Sequence, residues 1–268
     1  PALVTDVEVV DDYPASVLTH ARRQHRWARG DWQILLWLFP LVPVQHGLER
    51  NTLPAIARWK ILDNLRRTLV APATVVALLG AWLALPGPPW LWTALILGSL
   101  AFPLFPLVPR LLAGPPAQQP LRMYVRLLVE DARTAAAQVL LVVVFLAYHA
   151  FQMVHAIVLT LVRLIVTQRR LLDWETAAAS AARAAGLAAR SGARLFLAEM
   201  AASPIVAGAV VLAVAAARPA ALPVALPVAA LWLAAPYIAY WLSRPVVAER
   251  HRVTIEDRQL LRVTARKT

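Results

Sequence analysis

The sequence contains no cysteine, and it is poor in acidic residues. The missing cysteines exclude a disulfide, a thiolate nucleophile and any metal site with cysteine ligands. Only 15 Asp and Glu stand against 27 Lys and Arg. The acidic residues show no carboxylate spacing that is diagnostic of a metal site. The chain starts at Pro1 without Met and ends at Thr268 within a helical pattern, so we interpret it as a segment of a longer protein.

Apolar residues dominate the amino-acid composition. The 268 residues are 60% hydrophobic and have a mean hydropathy of +0.59, whereas an ordinary soluble domain is about 45–50% apolar. The composition therefore predicts a membrane protein. The net charge is +12, and the arginines flank the apolar runs. We expect lipid headgroups or a phosphorylated substrate as partners, and no nucleic acid.

Four apolar runs predict membrane spans: residues 69–85, 90–108, 204–217 and 223–242. The turn between the first two carries no charge, whereas arginines flank their other ends. By the positive-inside rule those other ends are cytoplasmic, and an even number of spans puts both ends of the segment there. The clear spans 69–85, 90–108 and 223–242 contain no charged residue, which argues against a transporter.

The run 135–164 is ambiguous, because arginines lie at both of its ends. We favour an in-plane, re-entrant or protein-packed helix over a span for it, and leave the span open. Residues 53–67, 121–133 and 171–200 are amphipathic or Ala-rich and predict helices at the membrane surface. The fold class is thus mainly α, with polytopic membrane helices and interfacial amphipathic helices.

The stretch from His20 to Gln33 carries the richest side-chain chemistry. Ser16 can cap a helix over residues 17–29 that ends at Gly30, and a second short helix over 32–39 should lie in the interface. On the first helix, one face holds Arg22, Arg26 and Arg29.

Sugar transfer from a nucleotide diphosphate requires a cation for the departing diphosphate, an aromatic surface for the acceptor and a carboxylate base. Arg26, with Arg22 or Arg23, can provide the first, and Trp27, extended by Trp32, the second. The sequence offers no catalytic base. An amphipathic helix whose arginines contact lipid phosphates explains the same residues and stays open as an alternative.

The other polar residues do not predict a metal site. His20 and His25, and likewise His149 and His155, are spaced so that each pair lies on different faces of its helix. Acidic residues near the start of the chain and beside Trp174 are interpreted as surface residues; they are Asp6, Glu8, Asp11, Asp12, Asp173 and Glu175.

Three stretches resemble a known family. Arg23-Gln-His-Arg-Trp27 is similar to the Q-(Q/R)-x-R-W element of processive membrane glycosyltransferases, with Arg23 in place of Gln. The longer stretch 13–33, together with 58–67 and 169–178, resembles bacterial cyclic β-1,2-glucan synthases. The resemblance covers most of the chain.

The resemblance implies an inner-membrane, multi-pass glycosyltransferase that builds and cyclises a glucan from UDP-glucose at the cytoplasmic face. Residues 1–50 would then end the transferase domain, 51–250 form the membrane region, and 251–268 begin a linker. It assigns Arg26 to the diphosphate and Trp27 to the acceptor. The complete enzyme is expected to use Mg²⁺ or Mn²⁺ through ligands outside this segment, and the segment alone is expected to be inactive. A non-catalytic anchor, a transporter-like subunit and another processive synthase remain alternatives.

Overall fold

A computed structural model describes residues 14, 16–44, 47–116, 118–169 and 192–244. The fold is mainly α, as the sequence predicts, and 81% of it is helical. The interpretations of the acidic residues near Pro1, of residues 171–191 and of the linker at 251–268 lie outside the described residues.

The first helix, α1, covers Val17–Gln33. The predicted cap is confirmed, because Ser16 Oγ accepts a hydrogen bond from the backbone N–H of Leu18. The predicted end at Gly30 is wrong, since α1 continues through Gly30 for three more residues. The second predicted helix shrinks to a 3-10 helix, Leu35–Leu38.

A two-stranded antiparallel hairpin follows, which the sequence analysis missed. Strand β1 covers Leu41–Val44 and β2 covers Gly47–Arg50, with Leu41 opposite Arg50 and Pro43 opposite Leu48.

Helix α2, Ala55–Leu83, joins the predicted surface helix 53–67 to the predicted span 69–85 in one unbroken helix. The predicted separation of the two is therefore wrong, and Pro72 lies in the interior of α2. The predicted span 90–108 is not one straight helix. It divides into α3, Pro89–Leu100, and α4, Leu107–Ala113, with a 3-10 turn between them. The two parts are bent by 61°, because Pro103 and Pro106 interrupt the backbone hydrogen bonds there.

Helix α5, Leu121–Leu161, is the longest element and unites the predicted segment 121–133 with the ambiguous run 135–164. A π-helical turn, Val162–Thr167, extends it, and Gln168 has a left-handed backbone with φ 49°. The helix packs against α1, α2 and helix α8 described below. These contacts do not distinguish the favoured in-plane, re-entrant or protein-packed helix from a span, and α5 is long and apolar enough to span.

Three more helices follow in the part of the chain that the structure describes: α6, Gly192–Glu199, α7, Ala202–Ala217, and α8, Leu222–Leu242. Helices α2, α5, α7 and α8 enclose the main hydrophobic core, where Trp82 and Trp232 are fully buried with ring centroids 6.3 Å apart.

Within the described residues, three helical segments are long and apolar enough to cross a membrane: Ala55–Leu83, Leu121–Thr167 and Pro219–Leu242. The number becomes five if each bent pair, α3 with α4 and α6 with α7, forms one span. The predicted span 223–242 falls within Pro219–Leu242, and the predicted span 69–85 overlaps Ala55–Leu83 except for its last two residues. The orientation of the chain in the membrane stays a prediction.

Candidate functional site

Helix α1 carries the candidate site and is held against α5 by small side chains. Its buried residues are Leu18, Ala21 and Ala28. Ala28 packs with Met153 and Ala156 of α5 in one buried cluster. Alanine on both helices allows a close approach, so the polar face of α1 is fixed relative to the membrane helices.

Arg23 and Trp27 form the central pair on the outer part of α1. The guanidinium carbon of Arg23 lies 4.7 Å from the centroid of the Trp27 ring. This is a cation–π contact, which one helical turn between the two residues permits. Trp27 nevertheless keeps 47% of its surface exposed. The guanidinium of Arg23 thus lies over the Trp27 ring, about half of whose surface is exposed.

Two of the other arginines differ in their surroundings. Arg22 forms an ion pair with Glu199 of α6, at 3.0 Å between Nη2 and Oε1. Arg26 lies one turn from both Arg22 and Arg23 and is partly exposed. Because α1 is unbroken from Val17 to Gln33, the predicted common side of Arg22, Arg26 and Arg29 is compatible with the structure.

Trp32 and Asp31, at the end of α1, contact α2. The Trp32 indole N–H donates to Thr68 Oγ1 at 2.9 Å, and Asn64 donates to Asp31 at 3.1 Å. Burial raises the pKa of Asp31, against the lowering effects of the Asn64 hydrogen bond and the Arg67 charge. Asp31 thus lies inside α1 and links the end of this helix to α2. Trp32 is five residues from Trp27, so the two rings leave α1 in different directions.

Histidines from two helices meet at the α1–α5 interface, which the sequence analysis missed. His25 Nε2 and His155 Nδ1 lie 2.9 Å apart, and Phe151 stacks on the His155 ring. Burial lowers the pKa of His25 to about 4, with further lowering by His155 and Arg29. Burial and Arg23 also lower the pKa of His20.

Spacing within one helix does not show which histidines meet across two helices. His20 and His25 are five residues apart in α1, and His149 and His155 are six residues apart in α5. These similar spacings were the available signal that His20 and His25 could both meet histidines of α5. Within the described residues, no group of three or more His, Cys, Asp or Glu side chains could hold a metal ion. The divalent metal expected for the complete enzyme, with ligands outside this segment, stays a prediction, and we derive no step through it.

Comparison with known proteins supports the resemblance seen in the sequence. No family model matches the chain. The chain is 38% identical over 181 residues to the cyclic beta-(1,2)-glucan synthase NdvB of Rhizobium meliloti, a match that covers 66% of this chain. The chain is therefore related to that synthase. The match covers only 6% of the relative's own length.

Proposed function

We propose that this chain contributes the interface helix and membrane region of a cyclic β-(1,2)-glucan synthase. In this proposal a glycosyltransferase uses UDP-glucose at the cytoplasmic face of the inner membrane and extends a glucan. The observation that carries the proposal is the Arg23–Trp27 pair on α1, 4.7 Å from guanidinium carbon to ring centroid, in a chain related to such a synthase.

The reaction requires a positive charge at the leaving group. An acceptor hydroxyl oxygen attacks C1 of glucose, the bond from C1 to the diphosphate oxygen breaks, and that oxygen keeps the electron pair. Guanidinium groups stabilise this developing charge through bidentate hydrogen bonds. In our proposal Arg26 and Arg23 serve this role, and Arg22, which pairs with Glu199, lies one helical turn from Arg26.

The acceptor end of the glucan requires a flat apolar surface. Trp27 supplies it in our proposal, since its ring is half exposed while the neighbouring Ala28 is buried against α5. The guanidinium of Arg23 on the same ring brings the diphosphate and acceptor contacts next to each other. Trp32 leaves α1 in a different direction and its N–H is engaged by Thr68, so Trp27 alone provides the stacking surface in our proposal.

The base that removes the acceptor proton and the ligands of the expected divalent metal belong elsewhere in the complete enzyme. The role of this chain is to bind and orient, so it is expected to be inactive alone. The bilayer is its second partner, because three of its helical segments are long and apolar enough to cross one.

The proposal is tested by glucose incorporation from UDP-glucose in membranes that contain the complete protein. Trp27→Ala and Arg26→Ala should each lower incorporation at least about 100-fold, the cost of losing one stabilising donor or positioning contact. Trp27→Phe and Arg26→Lys should recover part of the loss, since Phe keeps a ring and Lys a charge. Trp241→Phe, an exposed tryptophan on α8, is the matched control and should retain activity.

The alternative is that α1 only anchors the protein, with arginines that contact lipid phosphates. The ion pair to α6 and the histidine contact to α5 favour this second possibility, because both are structural uses of α1. Full incorporation by both alanine variants, at normal membrane levels, would support the anchor and refute the roles assigned to Arg26 and Trp27.

A further inference from the structure

We propose that the hairpin β1–β2, with the 3-10 turn before it and the first turns of α2, forms a lipid-binding wedge that inserts into the headgroup region of an anionic membrane. This lipid wedge consists of residues 34–44, 47–51 and 55–62. The inference concerns membrane attachment and does not depend on the glycosyltransferase proposal.

The hairpin shows an apolar face to its surroundings. Residues that are paired across antiparallel strands share a face, so Leu41, Pro43, Leu48 and Arg50 lie on one side. Leu41 and Leu48 are 53% and 66% exposed, whereas Val42, on the other side, is buried. The carboxylate-bearing Glu49 pairs with Val42 and lies on that other side. A two-stranded hairpin is at best marginally stable in water, and an apolar outer face needs a nonaqueous cover.

Asn51 fixes the hairpin to the preceding turn. Its side-chain amide donates to the carbonyl oxygens of Trp37 and Phe39, at 2.6 and 2.9 Å. Its own backbone N–H donates to the carbonyl of Pro40, at 2.8 Å. Phe39 is 53% exposed and Trp37 38% exposed. These hydrogen bonds hold exposed aromatic and aliphatic side chains in one rigid unit, which lowers the entropy cost of inserting them.

Helix α2 begins with a second group of exposed apolar side chains. Ile56, Trp59 and Leu62 are 62%, 63% and 46% exposed. By helical periodicity they lie in the same half of α2 as the exposed side chains of its apolar part, Leu69, Val70 and Val76. The exposed apolar residues at the start of α2 thus lie in the same half of the helix as those of its apolar part, and the charged cluster of Asp63, Arg66 and Arg67 lies between the two groups.

Basic residues surround this surface. Arg50 lies on the apolar face of the hairpin, and Arg58 and Lys60 lie beside Trp59 in α2. Basic side chains beside exposed tryptophan and leucine are typical of segments that bind anionic membrane surfaces. Further along α2, Arg66 and Arg67 both pair with Asp63, each at 2.7 Å. A lipid surface thus matches both the apolar and the charged parts of the wedge.

The absence of cysteine from the sequence makes a direct test possible. Leu48→Cys is labelled with an environment-sensitive fluorophore, and the full chain is reconstituted in vesicles of phosphatidylcholine and phosphatidylglycerol. Val76→Cys, 66% exposed on α2, is the lipid-facing control. Gln118→Cys, exposed in the segment between α4 and α5, is the water-facing control.

We expect nitroxide lipids to quench the Leu48 label, more strongly when the nitroxide is near the headgroup than when it is deep. Val76 should show the reverse depth preference, and only iodide in the water should quench Gln118. Replacing phosphatidylglycerol by phosphatidylcholine, or Arg50 and Lys60 by Ala, should reduce the quenching at Leu48 several-fold.

Two results would overturn the proposal. The Leu48 label could respond to iodide as Gln118 does, which would place the hairpin in water. Alternatively, it could respond to neither quencher, which would mean that another protein segment covers it. Far-ultraviolet circular dichroism of each labelled variant, compared with the unlabelled chain, separates either result from misfolding.

Discussion

His25 of α1 and His155 of α5 lie within hydrogen-bond distance, with 2.9 Å between Nε2 and Nδ1 and ring centroids 5.1 Å apart. One ring must donate a hydrogen and the other must accept it, so the contact requires at least one neutral imidazole. Protonation of both rings would place two cations together beside Arg29. The contact between the Arg- and Trp-bearing helix and the longest helix is therefore stable only while the pair is not doubly charged.

Acidification should weaken the folded protein through His25. Its pKa falls from 6.5 to about 4 on folding, so the unfolded chain binds a proton between these pH values that the folded chain does not. Stability due to His25 is complete above pH 6.5 and decreases toward pH 4. After allowance for partial exposure, we expect a loss of about 1–2 kcal/mol. Thermal unfolding in detergent from pH 7.5 to about 4.5 measures it.

Variants separate this effect from general acid sensitivity. His25→Gln cannot titrate and should show a flatter dependence of Tm on pH. Gln24→Ala, on the same helix, should keep the wild-type slope. An identical slope in His25→Gln would exclude His25 as the source.

The sequence predicted features that depend on local interactions and missed features that depend on long-range interactions. Ser16 caps α1 through its own backbone neighbours, and that cap was predicted. Gly30 was expected to end α1, yet the helix continues because Asp31 and Trp32 find partners in Asn64 and Thr68 of α2. Helix propensity is a weak preference that such tertiary contacts override.

The same reasoning applies to the spans and the candidate site. Hydropathy detected the apolar run 90–108, but the 61° bend depends on how Pro103 and Pro106 are accommodated. The hairpin 41–50 shows no clear alternation of apolar and polar residues, so periodicity missed it. Arg26 and Trp27 were selected from residue type and resemblance, and their roles stay predictions. The Arg23–Trp27 contact lies within one helical turn, whereas the partners Glu199 and His155 required the fold.

Trp232 should stabilise the helix bundle through both its ring and its N–H. It is fully buried, its indole N–H donates to the Val143 carbonyl at 3.0 Å, and its own carbonyl accepts from Ser203 Oγ at 2.8 Å. Trp232→Phe keeps most of the packing but loses the indole hydrogen bond, so we expect a loss of about 1 kcal/mol. Trp232→Ala should cost about 3–5 kcal/mol because it also leaves a cavity.

Denaturant-induced unfolding in micelles measures these differences. Trp241→Phe on the same helix is the control, since Trp241 is 59% exposed and should tolerate the change. A loss in Trp241→Phe equal to that in Trp232→Phe would contradict the importance of the indole hydrogen bond.

The Arg22–Glu199 pair should orient α1 on α6 at a small energetic gain. Its side chains are 23% and 37% exposed, so we expect a coupling of about 0.5 kcal/mol between them. A double-mutant cycle with Arg22→Met and Glu199→Gln measures this coupling from unfolding free energies. The reversed pair, Arg22→Glu with Glu199→Arg, should recover part of the loss. If the effects of the two single substitutions on the unfolding free energy add up to that of the double variant, the pair contributes no coupling.

Arg218 should hold together two turns on one side of the membrane. Its guanidinium donates to the carbonyl oxygens of Leu85 and Gly87, both at 2.8 Å. The turn between α7 and α8 thus lies beside the turn between α2 and α3, and the hydrogen bonds explain why an arginine is present at this otherwise apolar end. Arg218→Lys cannot reach both carbonyls with a planar fork, so it should lower Tm by a few degrees.

Cysteine labelling tests the shared side directly, because the chain has no cysteine of its own. Pro88→Cys and Ala220→Cys are in these two exposed turns. In intact cells an impermeant maleimide should label both, since the positive-inside rule predicts that these turns face outward. Gln118→Cys should react only after the cells are broken. Labelling of Pro88→Cys without labelling of Ala220→Cys would contradict the shared side. If neither variant is labelled in intact cells and both react after lysis, the orientation in the membrane is reversed and the Arg218 contact is retained.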